Sequence, residues 1–508
     1  MRLGIDFGTT RTTAASVDRG NYPVVSFLDP SGDPHEYFPS VVALVGDGFR
    51  YGFEALDAAE QGAPLLRSFK RALGAGDVNA DSTIAIGDRE VGLLTLLTGF
   101  LTAVRDALAT TSSIADAYDP ATAEATVVAV PAHAHGAQRF LTLEAFRRAG
   151  ITVTAMINEP SAAGFEYTHR QGRTLNSKRT RVIVYDLGGG TFDASLVNVD
   201  GVDHEIVGSL GLNMLGGDDF DAVLADCALD EAGRRLEEID LATYVRLLDD
   251  CRDAKEHLFP QSRRIPVEVD SQPVTVQVED FYTRATPLVE ASLRAMAPLV
   301  EDLEGDAPLA ADIAGIYLVG GASGLPLVPR LLKEEFGRRV HRSPYPAAST
   351  AIGLAIAADD EAGYSLADRL SRWFGVFREG DAGSTVSFDP ILGRDQPIPD
   401  HGDLVITRRY RAAHNIGWYR FVEYTEVDPS GEPRGDIAPF AQIVFPFDPA
   451  LQAEGTDLEA IPVRRTQGPM VEEHYAIDEN GIVRVRITDL TTGYTRTHAF
   501  SRPLAEAA

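Results

Sequence analysis

Val184-Tyr185-Asp186-Leu187-Gly188-Gly189-Gly190-Thr191, in the middle of the chain, repeats the chemistry of Leu3-Gly4-Ile5-Asp6-Phe7-Gly8-Thr9-Thr10 near its start. In each copy an apolar run reads as a buried strand, an aspartate closes it, glycines make a tight turn, and threonine leads into a second strand. Glycine in such a turn lets backbone N–H groups approach an anion with no Cβ in the way. Threonine adds a hydroxyl donor, and aspartate can hold a hydrated divalent cation. Either copy alone reads equally well as an ordinary β-hairpin, because Asp-Leu-Gly-Gly-Gly is good turn chemistry anywhere. Two copies that keep Asp, Gly and Thr in the same order point instead to two lobes with one nucleotide between them. A P-loop site is excluded, since neither Gly-Lys-Ser nor Gly-Lys-Thr occurs in the sequence.

The 508 residues leave room for two or more domains, and 44% hydrophobic content is ordinary for a globular protein. A formal net charge of −29 argues against nucleic acid as a partner, because such a surface repels polyanions. The two cysteines, Cys227 and Cys251, fall in helical patterns and read as buried reduced thiols. No charged-then-apolar leader opens the sequence and its apolar runs look too short for a membrane span, so the expectation is a cytoplasmic protein without a membrane partner. Only four lysines occur among 46 basic residues: Lys70, Lys178, Lys255 and Lys333. Where arginine has so widely displaced lysine, each survivor is a candidate for a site that needs a compact ammonium, although chance retention on a solvated face explains any one of them.

Up to about residue 360 short β-rich runs alternate with helical stretches. Val127 to Pro131 reads as a strand, Gly136 to Arg148 as a helix, Ile151 to Thr154 as extended and Ser161 to Thr168 as helical. Ile313 to Val319 reads as a strand and Leu327 to Phe336 as an amphipathic helix. An acidic, irregular stretch follows from Ala357 to Arg369. Beyond Trp373 only strands are expected: Thr385 to Phe388, Leu404 to Thr407, Tyr419 to Thr425, Gln442 to Phe447, and Tyr475 to Ile477 turned by Asp478-Glu479-Asn480-Gly481 into Ile482 to Ile487. The organisation expected is an α/β region over 1–358, a linker over 359–371 and a β-sandwich over 372–508.

With these residues assembled, the chain resembles the heat shock protein 70 family, within the actin-like and sugar-kinase ATPase superfamily. Gly4 to Thr10 is similar to that family's first phosphate loop, and Asp186-Leu187-Gly188-Gly189-Gly190-Thr191-Phe192-Asp193 matches its second. Ile157-Asn158-Glu159-Pro160-Ser161-Ala162-Ala163 resembles the connecting segment, and Val130-Pro131-Ala132 with Gln138-Arg139 the strand and helix before it. Leu215-Gly216-Gly217-Asp218-Asp219-Phe220-Asp221 and Leu318-Val319-Gly320-Gly321 are similar to two further nucleotide-contact loops. The C-terminal resemblance, Ile477-Asp478-Glu479-Asn480-Gly481-Ile482-Val483 with Asp489-Leu490-Thr491-Thr492-Gly493, is looser.

The resemblance implies a two-lobed actin-like ATPase domain, a duplicated ribonuclease-H-like fold, followed by an all-β sandwich that binds peptide. It implies Asp6 and Asp186 as holders of a hydrated Mg²⁺, and Thr9, Thr10 and Thr191 as contacts to the terminal phosphates of ATP or ADP. Gly8, Gly188, Gly189, Gly190, Gly216, Gly217, Asp218, Gly320 and Gly321 would line the nucleotide, and Lys255 would contact its ribose or base. Lys70 falls where the family keeps a catalytic lysine, and Glu159 and Asp193 where it orients or deprotonates the attacking water. Read without the family, Glu159 before Pro160 is a carboxylate at a helix N-terminus. The adenosine end departs from the pattern: Gly324 stands where an arginine often stacks on adenine, and Ala347 where an acidic residue follows Pro346. Tyr364 to Leu370 takes the linker position with a weaker apolar signature, and Ala508 falls about where a helical lid would begin. Pro131 and Arg139 match positions that relay nucleotide state to the second domain.

The function implied is a slow ATPase acting as a chaperone in stress response and protein folding, with unfolded or extended peptide and co-chaperones as partners. Two alternatives are a nucleotide-gated adaptor with little turnover and, less favoured because the C-terminal part reads as all β, a small-molecule kinase of the same superfamily. His133 and His135 read as loop histidines rather than a metal pair, having no cysteine or carboxylate close in sequence. Arg234-Arg235-Leu236-Glu237-Glu238 reads as the solvated face of a helix.

Overall fold

A computed structural model describes residues 1–171, 175–300, 309–381, 384–394, 396–453 and 455–498. Arg2–Phe7 and Arg11–Ser16 form an antiparallel hairpin, and Arg181–Leu187 and Phe192–Asp200 form a second one. Each hairpin sits in the same surroundings. In the first sheet Ala125–Val130 runs parallel to Arg2–Phe7, with Ala155–Asn158 parallel beyond it and Phe38–Pro39 on the other edge. In the second, Ile313–Val319 runs parallel to Arg181–Leu187, with Val340–Arg342 beyond it, while Asp203–Leu212 and Ser365–Ala367 extend the other side. The duplication seen in the two turns is therefore a duplication of topology. Two helices, Glu159–Gln171 and Ser349–Ala357, pack between the sheets at close range: a Cβ on Gly353 would stand 1.7 Å from the Ala162 carbonyl oxygen, so only glycine fits that crossing.

Several elements coincide with the pattern in the sequence. The helices Gly136–Arg148 and Leu327–Phe336 and the strand Ile313–Val319 have the expected bounds. Ile151 to Thr154 is not a strand; pairing with Val127–Val130 places the strand at Ala155–Asn158. Leu93–Thr110, at 18 residues, is long and apolar enough by composition to cross a membrane. Leu93, Leu94, Leu96, Leu97, Phe100 and Leu101 are all buried in the first lobe, so here it packs as a core helix. Cys227 and Cys251 are free and buried on helices Gly217–Glu231 and Leu241–Glu256. Leu236–Glu238 is a single 3₁₀ turn rather than part of a longer helix.

Among the described residues from 373 to 498 two four-stranded sheets form, with a small two-stranded pair of Glu426–Val427 and Pro433–Arg434 beside them. One runs Thr385–Leu392, Trp373–Gly380, Ile416–Tyr424, Ala438–Pro446, and the other Leu404–Arg411, Met470–Ile477, Val483–Asp489, Thr495–His498. Side chains alternate in and out along Met470–Ile477 and Val483–Asp489, which puts Val471, Tyr475, Ile477, Val485 and Ile487 against Phe374, Val376 and Phe421 of the facing sheet. Within this core the fully buried Glu473 carboxylate accepts from Arg378, Tyr410 and Tyr475, a polar tie between the two sheets. Trp373–Gly380, which the sequence pattern did not single out, is a central strand. Ser365–Ala367, inside the stretch read as a linker, pairs in parallel with Asp203–Glu205 at the edge of the second lobe.

Candidate functional site

Both Asp-Gly-Thr turns open on one cavity of about 680 Å³ between the lobes. Its wall includes Asp6, Gly8, Thr9 and Thr10 from the first turn and Asp186, Gly188, Gly189 and Thr191 from the second, with Lys70 and Glu159 joining them. The turns touch: a Cβ on Gly189 would lie 2.6 Å from Thr10 Cγ2, and one on Gly190 would lie 3.0 Å from Thr9 Cγ2. Glycine is thus what lets the two lobes meet. Gly8 is equally constrained, since its Cβ would stand 2.2 Å from the Arg11 carbonyl oxygen. The hydroxyls of Thr9, Thr10 and Thr191 have no hydrogen-bond partner among the described residues and remain available to a ligand in the cavity.

Gly217, Asp218, Lys255, Gly320 and Gly321 also line the cavity. The loop carrying Gly216 and Gly217 is held directly on the second turn, because Gly217 N–H donates to Gly188 O at 2.9 Å and Asp218 N–H to Gly189 O at 2.8 Å. Gly216 and Gly190 stack behind this surface; a Cβ on Gly216 would come within 2.5 Å of Gly190 N. Gly320 has φ +82°, and its Cβ would lie 2.3 Å from Asp186 Oδ1, so glycine satisfies both backbone and space there.

The charges are distributed unevenly. Lys70 Nζ donates to Glu159 Oε1 at 3.1 Å, with the lysine only 5% exposed. Burial first, then the neighbouring Glu159 carboxylate, pushes Asp6 up to about 7 against the pull of Lys70. Asp186 is pushed well above the usual carboxylate range by burial and by Glu159, Asp193 and Asp6. Asp193, opposite Asp186 in the hairpin register, accepts from His133 N–H at 3.2 Å and is pushed up to about 8 by burial and Glu159. It lies behind the cavity wall rather than in it. Four carboxylates around one ammonium are short of positive charge, which suits a hydrated divalent cation held through water by Asp6 and Asp186. No cluster of three or more His, Cys, Asp or Glu side chains that could hold a metal directly occurs among the described residues.

Lys255, expected at the ribose or base, has its ammonium tied to Asp221 Oδ1 at 2.5 Å and to Gly217 O at 2.7 Å, so it braces the glycine loop from the cavity side. Arg71 and Arg252 complete that brace: Arg71 meets Asp218 at 3.4 Å and Asp219 at 3.5 Å, and Arg252 meets Asp218 at 3.1 Å and Asp221 at 3.3 Å. Sequence reasoning passed over these arginines. The available signals were the Asp218-Asp219 and Asp221 run and the one-turn spacing of Arg252 and Lys255. His133 and His135 are buried, and His135 caps helix Gly136–Arg148 by accepting from Gln138 N–H while its Nε2 meets Ala75 O at 3.1 Å.

Comparison with known proteins gives the same grouping. A family model described as Hsp70 protein matches residues 98–368, just over half of the chain. The chain is 32% identical over 423 residues to the chaperone protein HscA homolog of Acidovorax ebreus (strain TPSY), covering 78% of this chain and 65% of that protein. It is 33% identical over 371 residues to chaperone protein HscA of Enterobacter sp. (strain 638), covering 71% and 58%. With chaperone protein DnaK of Mycoplasma mobile the identity is 27% over 513 residues, covering 97% and 77%. The matches to the HscA proteins thus span about three fifths to two thirds of those proteins' length.

Proposed function

Because the chain belongs to the heat shock protein 70 family, we propose that it binds ATP with Mg²⁺ in the cleft, hydrolyses it slowly, and couples nucleotide state to the holding of extended peptide by the C-terminal sandwich. The observation that carries this reading is that two Asp-Gly-Thr turns from topologically equivalent hairpins face each other across one cavity, with Lys70 and Glu159 at the seam. In this reading the backbone N–H groups of the glycine turns and the hydroxyls of Thr9, Thr10 and Thr191 grip the phosphates. Asp6 and Asp186 hold the hydrated cation. When bound, Mg²⁺ neutralises charge on the phosphate oxygens. Lys70 steadies charge on the transferred phosphoryl group, and Glu159 and Asp193 orient or deprotonate the attacking water. Gly217, Asp218, Gly320 and Gly321 shape the wall with Gly216 behind it, and Lys255 fixes the loop that Gly217 belongs to.

The reading assigns residues 1–358 to the ATPase domain, 359–371 to the linker and 372–508 to the peptide-holding domain, in a cytoplasmic protein that works with co-chaperones. Phosphate release measured with and without an unfolded peptide, beside calorimetry of ATP binding, tests it. Slow turnover that rises with peptide supports the chaperone; tight ATP binding without phosphate release supports a nucleotide-gated adaptor; absence of ATP binding rejects both.

A further inference from the structure

Part of the cavity wall is apolar rather than charged. Leu258, Phe259, Tyr282, Leu325 and Pro329 present apolar and aromatic surface there, and Phe259 is 61% exposed. Such a wall suits a flat ring better than another phosphate. Arg330, Lys333 and Arg342 are among the cations that line the cavity. Arg330 is already engaged, its guanidinium 5.2 Å from the Tyr282 ring centroid and 3.9 Å from Glu334. Arg342, at the end of strand Val340–Arg342, makes no hydrogen bond or ion pair with any described residue. Its guanidinium lies beside Gly324, where a Cβ would stand 3.1 Å from Arg342 Nη2. The backbone does not demand glycine at 324, because its φ is outside the left-handed region. What glycine supplies is room. A glycine that its backbone does not require and a guanidinium without a partner meet at one point of the wall.

We infer that Arg342, in the room left by Gly324, is the ring-contacting residue of this cavity, and that it lies against the base of a nucleoside triphosphate whose phosphates occupy the carboxylate end. The inference rests on the nucleotide reading above and names the residue that gives the base its hold. A guanidinium is planar, delocalised and weakly hydrated, so it can lie flat on a ring face, which an ammonium cannot do. Paired with Lys333, the same arginine could instead act as a bare positive charge for an additional anionic group, and the choice of variants separates the two roles.

Calorimetry with Mg-ATP and with Mg-tripolyphosphate on the wild-type protein, Arg342→Ala, Arg342→Lys and Gly324→Val provides the test. Arg342→Ala is expected to weaken ATP about ten-fold while tripolyphosphate affinity stays unchanged. Arg342→Lys is expected to remain about three-fold or more weaker than wild type for ATP. Gly324→Val, whose side chain takes the guanidinium's place, is expected to behave like Arg342→Ala. Equal weakening of both ligands by Arg342→Ala, no weakening of either, or full recovery in Arg342→Lys overturns the assignment in favour of a charge-only role or none. Wild-type protein that binds tripolyphosphate as tightly as ATP also overturns it while leaving the phosphate site standing. Wild-type protein that binds neither removes the nucleotide reading itself. Arg342 is exposed at the cavity mouth, so its variants are expected to melt with the wild type, and a thermal scan verifies that each is folded.

Discussion

The carboxylate of Glu423, on strand Ile416–Tyr424 of the sandwich, takes the backbone N–H of Gly136 on both oxygens, at 3.0 and 2.9 Å. Gly136 opens helix Gly136–Arg148, so a charge from one part of the chain closes a helix N-terminus in the other. Arg139 from the same helix reaches Asn158 at 2.6 Å and the Asn480 carbonyl oxygen at 3.2 Å, and Asn158 donates to Asp368 at 2.9 and 3.0 Å. Helix, linker and sandwich are thus joined by one buried polar seam.

Glu423→Ala leaves the Gly136 N–H without its acceptor inside that seam. An unmet buried donor costs about 1–3 kcal/mol. The expected result is faster limited proteolysis between residues 359 and 371, with ATP affinity unchanged. Cleavage at the wild-type rate would show that the contact does not hold the two parts together.

Asp6→Asn separates charge from shape. The wild-type carboxyl is already pushed up to about 7 by burial and Glu159, so an amide relieves repulsion in the cation-free protein. The melting temperature without Mg²⁺ is expected to hold or rise, while phosphate release falls about 100-fold or more if Asp6 holds the hydrated cation as proposed. A variant that melts far below wild type would mean that the carboxylate is structural.

Lys70→Met removes the ammonium closest to Glu159 and leaves that carboxylate facing Asp6 and Asp186. Breaking one side of a buried pair costs about 3–5 kcal/mol, whereas removing both partners is far milder. Denaturant melts are expected to show a large loss for Lys70→Met and substantial recovery in Lys70→Met/Glu159→Gln. Additive losses would contradict the pairing.

The two turns were legible because their chemistry is local: aspartate, glycines and threonine within eight positions dictate a tight turn whose backbone N–H groups are open to an anion. The helices Gly136–Arg148 and Leu327–Phe336 were legible by periodicity and flanking residues. Strand Trp373–Gly380 was not, because Gly375 and Gly380 interrupt its apolar pattern and its place is set by neighbours on both sides. Ile151 to Thr154 has strand-forming residues, yet the pairing partner Val127–Val130 fixes the strand four residues later. The brace from Arg71 to Asp218 joins positions far apart in the chain, and no short motif announces such a pair.

His204 gives the fold a pH dependence whose sign follows from its burial. It lies on strand Asp203–Leu212 in register with Leu366 of the docked strand Ser365–Ala367, with its ring 4.7 Å from Phe165 and 5.8 Å from Tyr364. Neither ring nitrogen has a hydrogen-bond partner among the described residues, and burial lowers its pKa to about 4 despite Asp203. The unfolded chain binds the proton near 6.5 and the native one only near 4, so between those values acid favours unfolding. One such group removes at most about 1.4 kcal/mol per pH unit across that window. Urea melts at pH 7 and pH 5 are expected to show a smaller difference for His204→Phe than for wild type, because phenylalanine keeps the ring contacts and cannot take the proton. An equal difference would place the acid sensitivity elsewhere, with buried His133, also lowered to about 4, as the next group to replace.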